Sequence, residues 1–200
     1  MATPETDKRL TAETFAETYP EREDRPAWST AGTDLELWDG VVVEGEVPGF
    51  RHQQTVLWVA NAIEPWVRAK GGRIWVDADL KIGPRDLRRP DLIAWWNDQP
   101  FHPDRVFDAV PNLVIEVVSP QPRDVERDRQ VKLIDYCVAG IPHYWIVEPL
   151  HRVFETYHRR QVGQGWTYTR TDLATTGVIG VFGFPNLTLE LDACWAAGSV

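Results

Sequence analysis

Lysine is scarce in this chain: four stand against seventeen arginines in 200 residues. Cysteine is scarcer still. Cys137 and Cys194 sit in apolar settings without metal-type spacing, which argues against a disulfide framework and leaves two free buried thiols. No stretch approaches the roughly 18 uninterrupted apolar residues of a membrane-spanning helix. The acidic N-terminus also lacks a secretory pattern, so a soluble, cytoplasmic protein is expected. His143, His151 and His158 lack the spacing of a zinc motif and read as structural. There is no internal repeat and no clean domain boundary, and 200 residues suffice for one sizeable core with a small appendage.

Positive charge is in deficit too. The net charge of −9 speaks against nucleic acid as a partner if it is spread evenly, because phosphate repels an acidic surface. It is not spread evenly: residues 1–40 hold ten acids and four bases, which leaves −3 for the other 160 residues. Two arginine-rich connections lie among those, "GPRDLRRPD" (83–91) and "QPRDVERDRQ" (121–130). Arg85, Arg88, Arg89 and Arg123 are therefore candidate contacts to a nucleic-acid backbone, which position a duplex without reading its sequence.

What is abundant is aromatic and apolar: ten tryptophans and 43% hydrophobic residues, as in a folded globular protein. Residues 1–30 read as a loosely held polar arm with one short helix in "TAETFAETYP", and residues 31–200 as a single domain. "LELWDGVVVE" (35–44) carries Asp39-Gly40 between β-formers, a strong hairpin signal. "HQQTVLWVANAIEPWVRAKGG" (52–72) spaces Val56, Val59, Ile63 and Val67 as one face of a helix. "RIWVDADLKI" (73–82) reads as a strand, then comes a basic loop, then the strand "DLIAWW" (91–96). A second helix is expected over 123–140, with Val131, Ile134, Tyr136 and Val138 as its apolar face. "HYWIVEP", "RVFETYH", "GWTYTRT" and "NLTLELD" complete the strands. The order predicts an α/β (α+β) fold, a mixed central β-sheet flanked by helices.

One strand raises the functional question. "NLVIEVVSP" (112–120) has the composition of a strand buried on both faces, yet Glu116 stands in its middle, on the same face as Val114 and Val118. A strand at a sheet edge would let it face solvent. A buried carboxylate needs a partner, because leaving one unpaired costs several kcal/mol. Asp91 opens a strand after Pro90, and if the two strands pair, both carboxylates converge at one end of the sheet. Oxygen-only ligands suit Mg²⁺ or Mn²⁺, and such an ion activates water against a phosphodiester.

The residues "ELWDG" (36–40), His52 at a helix start, "RPDLIAWW", "LVIEVVSP", "DRQVK" and "DYCVAGIPHYWIVEP" resemble, in that order, the Uma-type restriction-endonuclease family of the PD-(D/E)XK nuclease superfamily. The resemblance runs from about residue 35 to the end. It implies a restriction-endonuclease-like core, DNA as the substrate class, and Asp91 and Glu116 as the metal-binding carboxylates. Two residues after the glutamate, where the superfamily's lysine would stand, this chain has Val118. The resemblance offers Lys132 instead, with Lys81 as the substitute, and a lysine there orients the attacking water or stabilises transition-state charge. Supporting positions are His52, Glu36, which matches the family's "EL" segment, Glu44 after an apolar strand, and Asp128 at i, i+4 spacing from Lys132. Many nucleases of this fold work as dimers, so the resemblance admits a homodimer, although nothing in the sequence identifies the dimer surface.

Two other readings compete. One keeps the fold without the chemistry, as a catalytically inactive module binding nucleic acid or protein, and predicts no metal affinity at Asp91 and Glu116. The other is a carbohydrate-binding module, which requires several tryptophans on a solvent face. Placement of Trp95, Trp96, Trp145 and Trp166 in strands favours core packing over stacking on bases.

Overall fold

The computed structural model describes residues 9–19, 35–44, 48–96, 106–107, 109–120 and 126–199. Arg123 lies outside them. Helix α1 (Ala12–Thr18) starts at Thr11, whose hydroxyl accepts the Thr14 N–H at 3.2 Å, a cap worth about 1 kcal/mol. It buries Ala12 and Phe15, the latter against Leu37 and Leu87. This helix, expected on a loosely held arm, is thus docked on a sheet.

That sheet begins with the hairpin of β1 (Leu35–Trp38) and β2 (Val41–Glu44). Its turn places Asp39 at φ 45° and Gly40 at φ 79°, the left-handed pair of a type I′ hairpin turn. A Cβ on Gly40 would also lie 2.5 Å from that of Arg9, so the position is closed to other residues.

Helix α2 (Phe50–Ala69) buries Val56, Val59, Ile63 and Val67, as their spacing predicts, each worth about 1.5–3 kcal/mol. The segment 73–82 then departs from expectation. It forms two strands in different sheets, β3 (Arg73–Val76) and β4 (Asp79–Gly83), because the chain turns at Asp77, which has a left-handed φ of 53°. The basic loop that follows contains a strand, β5 (Asp86–Arg88), paired with both β1 and β4.

Next come β6 (Leu92–Trp95), β7 (Val106–Phe107) and β8 (Leu113–Val117). A wide turn over Arg127–Val131 leads into α3 (Lys132–Val138). Strands β9 (His143–Glu148), β10 (Val153–Val162), β11 (Gly165–Ala174), β12 (Val178–Gly180) and β13 (Thr188–Glu190) precede α4 (Leu191–Ala197). The last expected strand, 186–192, is therefore strand for three residues before turning helical.

Two larger sheets organise these elements, ordered β2-β1-β5-β4-β7 and β11-β10-β9-β8-β6-β3. The second is mixed: β8 runs antiparallel to β6 and parallel to β9. Strand alternation divides its central member between two cores. Leu113, Ile115 and Val117 pack with Val56, Val59, Ile63 and Val67 of α2, whereas Val114 and Val118 pack with Tyr136 and Cys137 of α3. The fold is the expected mixed α/β sandwich, with β8 buried on both faces.

Trp95, Trp96 and Trp145 are buried in these cores, while Trp166 is half exposed with the Arg159 guanidinium 3.9 Å above its ring. Both cysteines are free and buried. Among the described residues, no helix is long and apolar enough to cross a membrane.

Candidate active site

Pairing of β6 with β8 brings the two carboxylates of the sequence analysis to one end of the sheet. The register Leu92↔Ile115 puts Asp91 next to Glu116 across the ladder. The Asp91 Oδ2 accepts the backbone N–H of Val117 at 2.6 Å, so the side chain is fixed to the strand that carries Glu116. Its Oδ1 lies 3.1 Å from His52 Nε2. His52 belongs to the first turn of α2 and is buried, which explains how a helix on the other face of the sheet reaches this end. Burial works against charging this imidazole, but Asp91 outweighs it and raises its pKa.

Glu116 faces α3 and is 3% exposed. Its Oε1 accepts from Lys132 Nζ at 2.9 Å and from Tyr136 OH at 2.6 Å. Lys132 also lies 3.0 Å from Glu36 Oε1 and 3.9 Å from Asp128 Oδ1. Glu36 enters from the hairpin, where its carboxylate also accepts Trp38 Nε1–H at 2.8 Å and the Arg89 backbone N–H at 3.0 Å.

The orientation of α3 departs from the expected apolar face, of which Tyr136 alone is buried. Asp128, Lys132 and Tyr136, one turn apart, are buried, whereas Val131, Ile134 and Val138 are exposed. The apolar spacing misplaces Val131, Ile134 and Val138 because two of the inward residues, Asp128 and Lys132, are charged, and these are tolerated there because each is paired. The wide turn contributes to this geometry. The Lys132 N–H reaches back five residues to the Arg127 carbonyl, so the carbonyl of Asp128, its acceptor in an ordinary α-helix, instead accepts Tyr144 OH at 2.9 Å.

The cluster sets four carboxylates, Glu36, Asp91, Glu116 and Asp128, against the Lys132 ammonium, the His52 imidazole and the Arg127 guanidinium, which lies 3.2 Å from Asp128 Oδ1. Burial raises the Glu116 pKa well above the ordinary value; Lys132 opposes this, and Asp128, Asp91 and Glu36 reinforce it. Burial also raises Asp128, against the pull of Lys132 and Arg127. Glu36 goes the other way: burial would raise it, but Lys132 and the Arg89 N–H hold it below the usual range. Burial alone would lower the Lys132 pKa, yet Glu116, Glu36 and Asp128 prevail and raise it. The lysine is therefore a permanent cation and no proton acceptor at neutral pH.

Other expected positions lie elsewhere. Glu44 is exposed and pairs with Leu35, on the face of its sheet opposite to Glu36. Lys81 pairs with Glu13 of α1. Arg88 is 2% exposed, donates to Asp135 Oδ2 at 2.6 Å and to the Leu37 carbonyl, and lies 4.1 Å over the Trp38 ring. It locks the smaller sheet to α3 and is in no position to meet a phosphate. Arg89 donates to Asp79 Oδ1 at 2.9 Å, and Arg85, half-buried, lies in the β4–β5 turn. Tyr136 was missed as a site residue, although its spacing of four from Lys132 was the available signal.

The donors present fit a hard divalent cation. Asp91 and Glu116 offer oxygen only; the Asp91 side chain is 20% exposed, and Glu116 Oε2 takes no hydrogen bond among the described residues. The surplus of negative charge is what a cation would relieve. Among the described residues no three His, Cys, Asp or Glu side chains form a metal-holding group, and Mg²⁺ is commonly held by one or two carboxylates with water completing its shell.

A family model described as "Putative restriction endonuclease" (Uma2) matches residues 16–192. Among solved structures, the chain is similar to the crystal structure of a "putative nuclease belonging to DUF820" from Anabaena variabilis. The TM-score is 0.70 at 16% identity, over 95% of this chain and 99% of that one, a likeness of fold. No curated protein matches.

Proposed function

This chain belongs to the Uma2 family, and on that premise we propose that it is a metal-dependent DNA endonuclease, with Asp91 and Glu116 holding Mg²⁺ or Mn²⁺ and Lys132 as its electrostatic helper. The observation that carries the reading is the buried Lys132 ammonium, within 3.0 Å of both Glu116 and Glu36 beside Asp91. In a chain with four lysines, a compact point charge at that spot has a chemical use that a planar arginine fits less well.

The ion, when bound, polarises a phosphoryl oxygen and lowers the pKa of water. The chain's own residues do the rest. Lys132 keeps its proton and donates to oxygens that gain negative charge in the transition state, in a site with little solvent to weaken the interaction. Glu36 anchors the lysine from the hairpin side. His52 and the Val117 N–H together fix the rotation of Asp91, a precondition for holding reacting groups in register. Arg85 and Arg89 meet the DNA backbone.

The test is plasmid cleavage in Mg²⁺ or Mn²⁺ by the wild type and Lys132→Met. Cleavage by the wild type, reduced at least about a hundredfold in the variant while Mn²⁺ binding persists, is the expected result. The Lys132–Glu116 contact also favours one alternative, an inactive nuclease-fold module in which the lysine permanently neutralises the carboxylates. That module would neither cleave DNA nor bind a divalent cation.

A further inference from the structure

We infer that Tyr136 is a positioning residue for Glu116, holding Oε1 so that Oε2 stays available to a cation when Lys132 turns toward the substrate. The inference rests on the proposed nuclease reading and assigns a role to a residue outside its catalytic set.

Lys132 and Tyr136 stand one helical turn apart on α3 and converge on a single oxygen, at 2.9 and 2.6 Å. The two donors are not equivalent. Lys132 divides its ammonium between Glu116 and Glu36, and it is the group that must reach a phosphoryl oxygen. Its flexible stem allows that movement. If it were the only donor to Glu116, the carboxylate would lose its anchor just when its rotation matters.

Tyr136 has no such freedom. Its ring is fully buried and packs edge-on against Tyr144 with centroids 5.2 Å apart. Tyr144 is in turn tied through its hydroxyl to the Asp128 carbonyl that the wide turn leaves open. The phenol is held by packing at both its ring and its neighbour, so its hydroxyl points at Glu116 whatever Lys132 does. Such orientation of a ligating carboxylate by a hydrogen-bonding neighbour typically changes metal affinity by about 10–100-fold.

The test uses Tyr136→Phe, which removes the hydroxyl and keeps the ring. Mn²⁺ affinity is measured by calorimetry on the purified full chain, together with the melting temperature and the Mg²⁺ dependence of cleavage. Mn²⁺ affinity is expected to fall about tenfold or more, with half-maximal cleavage moving to correspondingly higher Mg²⁺ and affinity for DNA unchanged. Tyr168→Phe, which removes another buried hydroxyl from the same core, one bonded to the Ile141 carbonyl at 2.8 Å, is expected to leave Mn²⁺ affinity as it was. In a Glu116→Gln background, adding Tyr136→Phe should produce no further loss.

Wild-type binding of Mn²⁺ matched by Tyr136→Phe, with only the melting temperature lowered, would overturn the inference and leave the nuclease reading standing. Absence of Mn²⁺ binding by the wild type, with and without DNA, would overturn both.

Discussion

Lys132 and Glu116 form a buried ion pair, Nζ to Oε1 at 2.9 Å, that joins α3 to the central strand of the larger sheet. The pair is also the point where stability and chemistry meet, because the lysine's removal leaves Glu116, Glu36 and Asp128 facing each other without their shared cation.

Lys132→Met should therefore destabilise the fold by about 3–5 kcal/mol, the usual cost of breaking a buried charge pair from one side. Adding Glu36→Gln should recover part of that loss, since one of the stranded carboxylates becomes neutral. Urea unfolding of the single and double variants reads both effects. A single variant as stable as the wild type would contradict the cluster.

Arg88 and Arg89 are adjacent in sequence and differ in exposure. Arg88→Met should cost about 2–4 kcal/mol, because Asp135 and the Leu37 carbonyl lose their donor. It should leave the salt dependence of DNA affinity unchanged, while Arg89→Gln should make that dependence shallower by about one phosphate contact. Fluorescence anisotropy over a salt series distinguishes the two.

Acid should weaken the protein through His143. This imidazole packs at a tilt against His158 and edge-on against Phe184, and burial, with repulsion from His158, lowers its pKa to about 4 from 6.5. The unfolded chain then binds the proton more readily, so the histidine's contribution is present above pH 6.5 and is lost as pH falls toward 4. Its share is on the order of 2–3 kcal/mol, discounted for partial exposure. Unfolding midpoints between pH 7 and 4 should fall less steeply in His143→Phe.

Burial pushes the Cys194 thiol up to about 12. The native protein at pH 8 should accordingly resist alkylation at that residue, and full labelling should appear only in denaturant. Mass spectrometry after an iodoacetamide pulse checks this.

Much of this site was legible in the sequence, and the reasons differ by residue. Asp39-Gly40 announced its hairpin because Asp-Gly readily adopts the left-handed pair of a type I′ turn, the one seen here. Glu116 stood out because a charge inside a β-branched run has few explanations, and the β6–β8 register brought it beside Asp91 as expected. Lys132 could not be located by periodicity, since of the expected apolar face Val131, Ile134, Tyr136 and Val138 only Tyr136 turns inward and the other three lie on the solvent side. Hydrophobic spacing identifies the inward face only where that face is apolar, and here it is lined by paired charge. The break at Asp77 escaped notice for another reason: the residues on both sides read as strand, and nothing local says that they join different sheets. Tyr136 was read as core packing, which its ring is, while its hydroxyl serves the site.

The most direct measurement is calorimetric titration of Mg²⁺ and Mn²⁺ into the wild type, Asp91→Ala and Glu116→Ala, with plasmid cleavage assayed on the same samples. The account predicts that the wild type binds the ion and cleaves, and that both properties are lost together in each variant. No binding by the wild type, in the presence or absence of DNA, would contradict it.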